Sequence, residues 1–350
     1  MKSMGPSFLG TFALVFVAIG ALWVIDTFLA RMEQSESTAQ AARLFREGED
    51  LARAGHNNES ITRLRGALAI SPDSQDYQLT LARVLIAADK LPDADAVLAG
   101  VLQRDSTDGE ANLLMATALT KQGKLDNAKS YYHMAIYGHW ATDAAANRVK
   151  ARSELIDILV KENAKKELLS ELLPLQDELP SNLATRKRLG QLFLMAGSPN
   201  RAADTFRQIL RDDRHDPDAY AGLGEAEFAN RNYRNAQIYL QIAARLKPSD
   251  LKLRAQLDLC EQVLALDPMQ RGLNTAERLR RSTKLVAMAR QAAAECGGTP
   301  DVVNTNAEKD AVEANLNLAE RLWQARKRSC NQPPAPAEEA LELVLARISQ

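Results

Sequence analysis

Large apolar and small residues recur along much of the chain with a period of 34 residues, beginning at Ala41. Within one period the apolar positions lie three or four residues apart, which is the spacing of an amphipathic helix. In the first unit Gly48 and Ala67 are the small residues, Leu64 is a large one, and Gly55 separates the two runs. The pattern therefore predicts two short helices joined by a turn.

The register of this pattern predicts about six units. The first three follow one another without a gap, the insertion 143–148 interrupts the phase, and the fourth unit diverges. The units begin at Ala41, Gln75, Gly109, near Val149, and at Leu183 and Pro217. Two short helices cannot bury their apolar faces alone, so neighbouring units are expected to stack and share a core.

The last regular unit shows the motif most fully. Its motif residues are Tyr220, Leu223, Gly224, Ala236, Leu240, Ala243 and Pro248, at positions 4, 7, 8, 20, 24, 27 and 32 of the unit. With these residues the chain resembles a tetratricopeptide repeat protein over residues 41–248. Position 4 departs from the usual large aromatic residue at Gln78, Asn112, Arg152 and Arg186. The resemblance implies an all-α fold, a right-handed superhelical solenoid of helix-turn-helix repeats.

The resemblance also implies a concave binding face, formed by positions 2, 5, 9, 12 and 13 of each first helix. The residues in this candidate set are Phe45, Glu49, Arg53, Leu79, Arg83, Ile86, Leu113, Thr117, Lys121, Lys187, Gln191, Met195, Glu225 and Phe228. Their mixture of apolar and charged side chains suits an extended or helical peptide, and the alternative is a solvated surface without a specific ligand. A clamp for the free carboxyl terminus of a peptide is not expected, because Phe45 and Glu49 stand where a lysine and an asparagine are needed.

The N-terminal region contains an apolar run at residues 8–25 that carries no charge. As a helix it spans about 27 Å at 1.5 Å per residue, close to the hydrocarbon thickness of a bilayer. We therefore predict a tail at 1–6, a transmembrane signal-anchor helix at 7–30 that contacts the lipid bilayer through Phe8 to Ile25, and a linker at 31–40. A cleaved signal peptide is the alternative, although no clear Ala-x-Ala site follows the run.

The charges that flank this run barely discriminate between the two orientations. The preferred one leaves the short tail in the cytoplasm and exports the rest of the chain. The expected location is then a bacterial inner membrane, with the repeat domain in the periplasm.

After the array, residues 249–330 predict a capping helix and a helical hairpin. The helices are expected at 251–266, from 275 to Gly297-Gly298, and at 307–328. Residues 331–350 predict a proline-bearing linker and a final helix, whose apolar face consists of Leu341, Val344, Leu345 and Ile348. That final helix is expected either to dock on the hairpin or to insert into a groove of its own or another chain.

Composition narrows the function further. The 350 residues carry a net charge of -1, so nucleic acid is not an expected partner. Cys260, Cys296 and Cys330 are widely spaced; three free or buried thiols are the favoured interpretation, and one disulfide stays open for an oxidising compartment. The histidines show no metal-ligand spacing, and no phosphate-loop, nucleophile-elbow or zinc-protease motif occurs, so neither a metal nor a cofactor is expected.

These observations favour a membrane-tethered scaffold for protein–protein interaction that is not an enzyme. It would bind a peptide or subunit in the concave face of the array, and family analogy suggests envelope assembly, secretion or biogenesis. A self-assembling structural solenoid, which would form homo-oligomers, is the alternative. A substrate-recruiting arm of an enzyme is more remote, because the residues after Pro248 contain no catalytic constellation.

Overall fold

The computed structural model describes residues 6–178, 182–297, 311–330 and 332–349. Of the helical residues 6–22, 24, 25, 29, 30 and 337 it describes the backbone only. Pro180, Gly298 and the predicted helical residues 307–310 lie outside the described residues.

The described residues form an all-α fold of sixteen helices, as predicted. They contain no strand and one isolated bridge, between Asp108 and His139. The helices are α1 (Pro6–Arg53), α2 (Asn57–Ile70), α3 (Gln75–Ala87), α4 (Leu91–Arg104), α5 (Gly109–Lys121), α6 (Leu125–Tyr137), α7 (Ala144–Lys161), α8 (Lys165–Glu178), α9 (Leu183–Met195), α10 (Pro199–Asp212), α11 (Pro217–Ala229), α12 (Tyr233–Leu246), α13 (Leu251–Leu266), α14 (Thr275–Glu295), α15 (Ala311–Ser329) and α16 (Pro336–Ile348).

The chain divides into two compact units, unit 1 at Met1–Ile158 and unit 2 at Leu159–Gln350. In unit 1, consecutive helices pack in pairs, α1 with α2, α3 with α4, and α5 with α6. In unit 2, α9 packs with α10 and α11 with α12 in the same way. The last helices of unit 2, from α12 to α16, share one apolar core.

The first helices of the regular repeats begin where the 34-residue period places them, at Gln75, Gly109, Leu183 and Pro217. The period also reaches Leu251, where α13 begins. The turn of each helix pair contains a residue with a left-handed backbone at position 15. These residues are Gly55, Asp89, Gly123, Asn163, Gly197 and Arg231, with φ between 54° and 81°.

The small residue at position 8 lets the two helices of a repeat approach closely. A Cβ atom added to Gly224 would lie 2.7 Å from Cγ of Leu240, and one added to Gly48 would lie 2.8 Å from Cγ of Leu64. Real Cβ atoms essentially never come so near another carbon. The small residues therefore determine how tightly α1 packs on α2 and α11 on α12.

The N-terminal helix differs from the sequence prediction. Residues 31–40, predicted as a linker, are helical and belong to α1. No glycine or proline interrupts residues 21–47, and the hydroxyls of Ser35 and Ser37 donate to carbonyls one turn earlier, at 2.8 and 2.9 Å. The helix therefore continues into the first repeat.

The predicted membrane anchor is not supported by the structure. Among the residues it describes, no helix is both long enough and apolar enough to cross a membrane. The segment Phe8 to Ile25 lies within α1, and most of its side chains are outside those described.

The insertion at 143–148 lies mostly within the first helix of the divergent repeat. Asp143 has a left-handed backbone with φ of 46°, and α7 begins directly after it, at Ala144. Three consecutive alanines, at 144–146, are strong helix formers, so the inserted residues extend this helix at its start.

The predicted C-terminal hairpin is wrong, because α14 and α15 run parallel. Near their starts, Asn315 Nδ2 donates to Ser282 Oγ at 3.0 Å. Just beyond their ends, Cys296 and Cys330 form a disulfide with a Cα–Cα distance of 5.5 Å.

The disulfide also corrects the favoured interpretation of three unpaired thiols. Only Cys260 is free among the described residues, and it is buried. Its Sγ lies 3.0 Å from the carbonyl oxygen of Tyr233.

The final helix docks on its neighbours, which was one of the two predicted outcomes. Leu341, Val344 and Leu345 of α16 are buried in the core shared with α13, α14 and α15. At its start, Glu338 Oε2 accepts from Arg326 Nη2 at 2.8 Å, and both side chains are largely buried. At its end, Arg347 pairs with the buried Asp267. These ion pairs join the two ends of α16 to α15 and to the residue that follows α13.

Candidate functional site

Unit 2 contains a groove of about 520 Å³ between α11, α13 and the start of α16. We refer to this space as the groove. Its lining residues are Glu225 and Phe228 of α11, Lys252, Ala255, Gln256, Asp258, Leu259 and Gln262 of α13, and Pro336 and Glu339 of α16.

The repeat period explains why α11 and α13 face the groove together. Pro217 and Leu251 are the first residues of these helices and are one period apart. Glu225 and Phe228 therefore hold positions 9 and 12 of α11, and Leu259 and Gln262 hold the same positions of α13. Side chains at these positions share one helix face, because they are three residues apart.

Both apolar and acidic groups line the groove. The Phe228 ring is partly buried and packs edge-on against Tyr233, with 5.1 Å between ring centroids and 74° between planes. Leu259 is partly buried in the same core. Of the charged lining residues, Glu225, Asp258 and Glu339 are acidic and Lys252 is basic, and none of these forms a salt bridge with another described residue. The groove therefore carries a net negative charge.

The other predicted residues of unit 2 lie on α9. Lys187 Nζ forms ion pairs with Asp216 at 2.7 Å and Asp218 at 3.0 Å. Partial burial lowers the pKa of Lys187, but hydrogen bonds to the two carboxylates outweigh it, so the pKa is raised. Gln191 and Met195 are exposed, and Met195 keeps 50% of its surface in solvent.

The predicted residues of unit 1 divide into two groups. Leu79, Ile86 and Leu113 are buried in the core, and burial removes them from the candidate binding surface. The other six are partly or fully exposed, and three of them contact neighbouring repeats.

These contacts join successive first helices of unit 1. Phe45 stacks on Tyr77 with 4.3 Å between ring centroids. Arg83 pairs with Glu110, and Lys121 Nζ donates to the carbonyl of Ile86 at 3.0 Å. Within the described part of the chain, the remaining predicted residues form no hydrogen bond or ion pair with a neighbouring repeat. Arg53 pairs with Asp50, Thr117 donates to the carbonyl of Leu113, and Glu49 is partly exposed.

Sequence reasoning identified two of the groove residues, Glu225 and Phe228, and missed those on α13. It treated α13 as a solvating cap and did not consider that its residues share the register of α11. The available signal was the 34-residue period, which runs on from Pro217 to Leu251. The contribution of α16 could not be read from any period, because it depends on how that helix docks.

Two segments of the chain match family models described as tetratricopeptide repeat, residues 51–116 in unit 1 and residues 187–250 in unit 2. The chain contains tetratricopeptide repeats. The second matched segment includes Glu225 and Phe228. In tetratricopeptide numbering these residues hold positions 9 and 12 of a first helix.

Solved structures of tetratricopeptide repeat proteins are similar to the chain. The crystal structure of YrrB, described as a TPR protein with an unusual peptide-binding site, is 18% identical, covering 55% of this chain and 95% of that one with a TM-score of 0.42. The C-terminal part of a TPR repeat-containing protein from Cytophaga hutchinsonii is 12% identical, covering 86% and 99% with a TM-score of 0.43. The TPR2AB-domain:pHSP90 complex of yeast Sti1 is 14% identical, covering 83% and 99% with a TM-score of 0.31. No curated protein matches the chain.

Proposed function

We propose that this chain is an interaction scaffold that binds a peptide segment of a partner protein in the groove of unit 2. The observation that carries the proposal is that positions 9 and 12 of the repeat helix α11, and the equivalent positions of α13 one period later, line one groove of about 520 Å³. A volume of this size holds a few side chains of a peptide. Catalysis is not part of the proposal, and the absence of an enzymatic role stays a prediction.

The groove's chemistry defines the kind of peptide. Phe228, Leu259 and Ala255 offer apolar contact, and Glu225, Asp258 and Glu339 offer unpaired carboxylates. A segment that combines apolar side chains with lysine or arginine is complementary to both. Electrostatic complementarity of this kind favours the correct partner and increases the association rate.

We further propose that the scaffold is tethered to a membrane and works outside the cytoplasm. The tether rests on the sequence alone, on the uncharged run at residues 8–25. The disulfide between Cys296 and Cys330 supports an oxidising compartment, because such bonds form and persist in the periplasm and outside cells. A role in bacterial envelope assembly, secretion or biogenesis follows by analogy with the family.

The groove is tested by filling it. Ala255 is exposed and lines the groove, so Ala255→Arg adds a bulky cation there at little cost to folding. Peptides are first selected from a phage-displayed library of random 12-residue sequences against the full chain. We expect enrichment of peptides with basic and apolar residues, and we expect Ala255→Arg to weaken the enriched peptide at least tenfold in fluorescence anisotropy.

Ala265→Arg is the matched control. Ala265 is an exposed alanine of the same helix and does not line the groove. The control variant should bind the peptide within twofold of the unmodified chain. Equal binding by the two variants, or enrichment of acidic peptides, would contradict the groove as the binding site.

A further inference from the structure

A second cavity in unit 2, of about 440 Å³, lies among three connecting regions. These are the turn between α11 and α12, the loop after α13, and the end of α16. Four arginines line it, Arg231, Arg234, Arg271 and Arg347. We refer to it as the arginine pocket. It shares no lining residue with the groove.

The positive charge of this pocket is mostly uncompensated. Arg347 pairs with Asp267, whose side chain is buried. Arg231 Nη1 donates to the carbonyl of Ala346 at 2.8 Å, which is a neutral acceptor. Within the described parts of the chain, Arg231, Arg234 and Arg271 form no salt bridge. Three guanidinium charges therefore line one cavity without a carboxylate to balance them.

Arg231 also occupies a backbone position that disfavours arginine. Its φ is 61°, in the left-handed region, at the position where three earlier repeats have Gly55, Gly123 and Gly197. A side chain in this conformation is strained, and such strain is concentrated at functional sites. An arginine at this position therefore indicates that its side chain has a role other than forming the turn.

The pocket offers a neutral donor beside the arginines. Tyr233 lines the cavity and is buried. Burial raises the pKa of Tyr233, and the nearby Arg231 and Arg347 lower it by less. The phenol therefore keeps its proton at neutral pH and can donate a hydrogen bond to an oxyanion.

We propose that the arginine pocket binds a phosphate group. A phosphate monoester or diphosphate carries two or more negative charges on several oxygens, so it balances three guanidinium groups where a single carboxylate cannot. Guanidinium groups bind phosphate oxygens in pairs of parallel hydrogen bonds. The volume of about 440 Å³ accommodates a small phosphorylated molecule, and the same chemistry could come from a phospholipid headgroup.

The test measures pyrophosphate binding to the full chain by isothermal titration calorimetry. Arg234 and Arg271 are both exposed and unpaired, so Arg234→Gln with Arg271→Gln removes two charges with little effect on folding. We expect this double variant to bind pyrophosphate at least tenfold more weakly than the unmodified chain. Arg231→Gly, which suits the left-handed backbone, should also weaken binding several-fold.

A matched control loses the same charge elsewhere in unit 2. Arg254 and Arg290 are exposed arginines that do not line the pocket. Arg254→Gln with Arg290→Gln should bind within twofold of the unmodified chain. Equal weakening in both double variants would show a diffuse charge effect and would overturn the pocket.

Vesicles distinguish the two sources of phosphate. Co-sedimentation is measured with vesicles of phosphatidic acid, whose headgroup is a phosphate monoester, mixed into phosphatidylcholine, and with phosphatidylcholine alone. Pyrophosphate binding that depends on Arg234 and Arg271 supports a free phosphorylated ligand. If those arginines matter only for sedimentation with phosphatidic acid, the proposal holds with a lipid headgroup as the source. If neither pyrophosphate binding nor sedimentation depends on Arg234 and Arg271, the phosphate proposal is overturned. This outcome is independent of what the groove binds.

Discussion

At the scale of single residues, packing in unit 2 depends on a ring that touches two glycines. A Cβ atom on Gly222 would lie 2.3 Å from Cζ of Phe206, and one on Gly190 would lie 2.6 Å from the same atom. Phe206 is fully buried. Gly190 is at position 8, where the repeat motif predicts a small residue, but Gly222 is at position 6, where it predicts none. The need for glycine there comes from the neighbouring repeat's aromatic residue, so sequence periodicity alone could not reveal it.

Gly222→Ala is therefore predicted to destabilise the protein. Helix propensity alone would make the change favourable by up to about 1 kcal/mol. Overpacking against the buried Phe206 ring should outweigh this and leave a net loss of about 1–3 kcal/mol. Urea unfolding followed by circular dichroism measures the difference.

Gly100→Ala is the control for this prediction. Gly100 lies in α4, is exposed, and a Cβ atom added there has no neighbour within 4 Å. The higher helix propensity of alanine should therefore act alone at Gly100 and stabilise α4 slightly. A stabilising effect at both glycines would show that Phe206 moves aside and that the contact does not limit packing.

At the scale of helices, the last part of the chain is organised by side-chain contacts more than by local pattern. Amphipathic spacing predicted α14, and the side chain of Asn274 caps this helix by accepting from Glu277 N at 2.8 Å. The parallel direction of α15 depends on contacts such as Ser282 with Asn315, and on the disulfide between Cys296 and Cys330. A helical pattern has the same period in either direction, so it could not distinguish the parallel pair from a hairpin.

The disulfide should stabilise this arrangement against unfolding. It joins residues 34 positions apart, and chain entropy then predicts a contribution of about 4 kcal/mol. Reduction with dithiothreitol should lower the Tm of the unmodified chain, whereas Cys330→Ser should start at the lower Tm and show no further change. A Tm that is insensitive to reduction would contradict the bond.

Cys260 provides an internal control when the disulfide is tested by labelling of thiols. Burial raises the pKa of its thiol to about 12, so at pH 8 it is protonated and shielded. Iodoacetamide should label no cysteine in the oxidised native chain and two after mild reduction. Labelling of all three cysteines under native conditions would show that this core opens.

At the scale of the whole molecule, the repeats were predictable and their ends were not. Helices begin at Gln75, Gly109, Leu183 and Pro217 because the same residue types, at the same positions of each repeat, pack in the same way. The extension of α1 through residues 31–40 and the docking of α16 are each unique to one place in the chain, so no period signals them. The groove was likewise predictable only in part. Its α11 and α13 residues follow the 34-residue period, and Pro336 and Glu339 of α16 do not.

The compartment of the repeats is the last property of the whole chain that we predict. An uncharged run at residues 8–25 and a disulfide at Cys296 and Cys330 both fit a tethered domain outside the cytoplasm. In a bacterial host, protease added to intact spheroplasts should digest the C-terminal end without lysis, and the chain should resist extraction from membranes by alkaline carbonate. Acid trapping followed by alkylation should find Cys296 and Cys330 oxidised. Protection until lysis together with alkylated thiols would place the repeats in a reducing compartment, where the disulfide would not persist and the partner would have to be cytoplasmic.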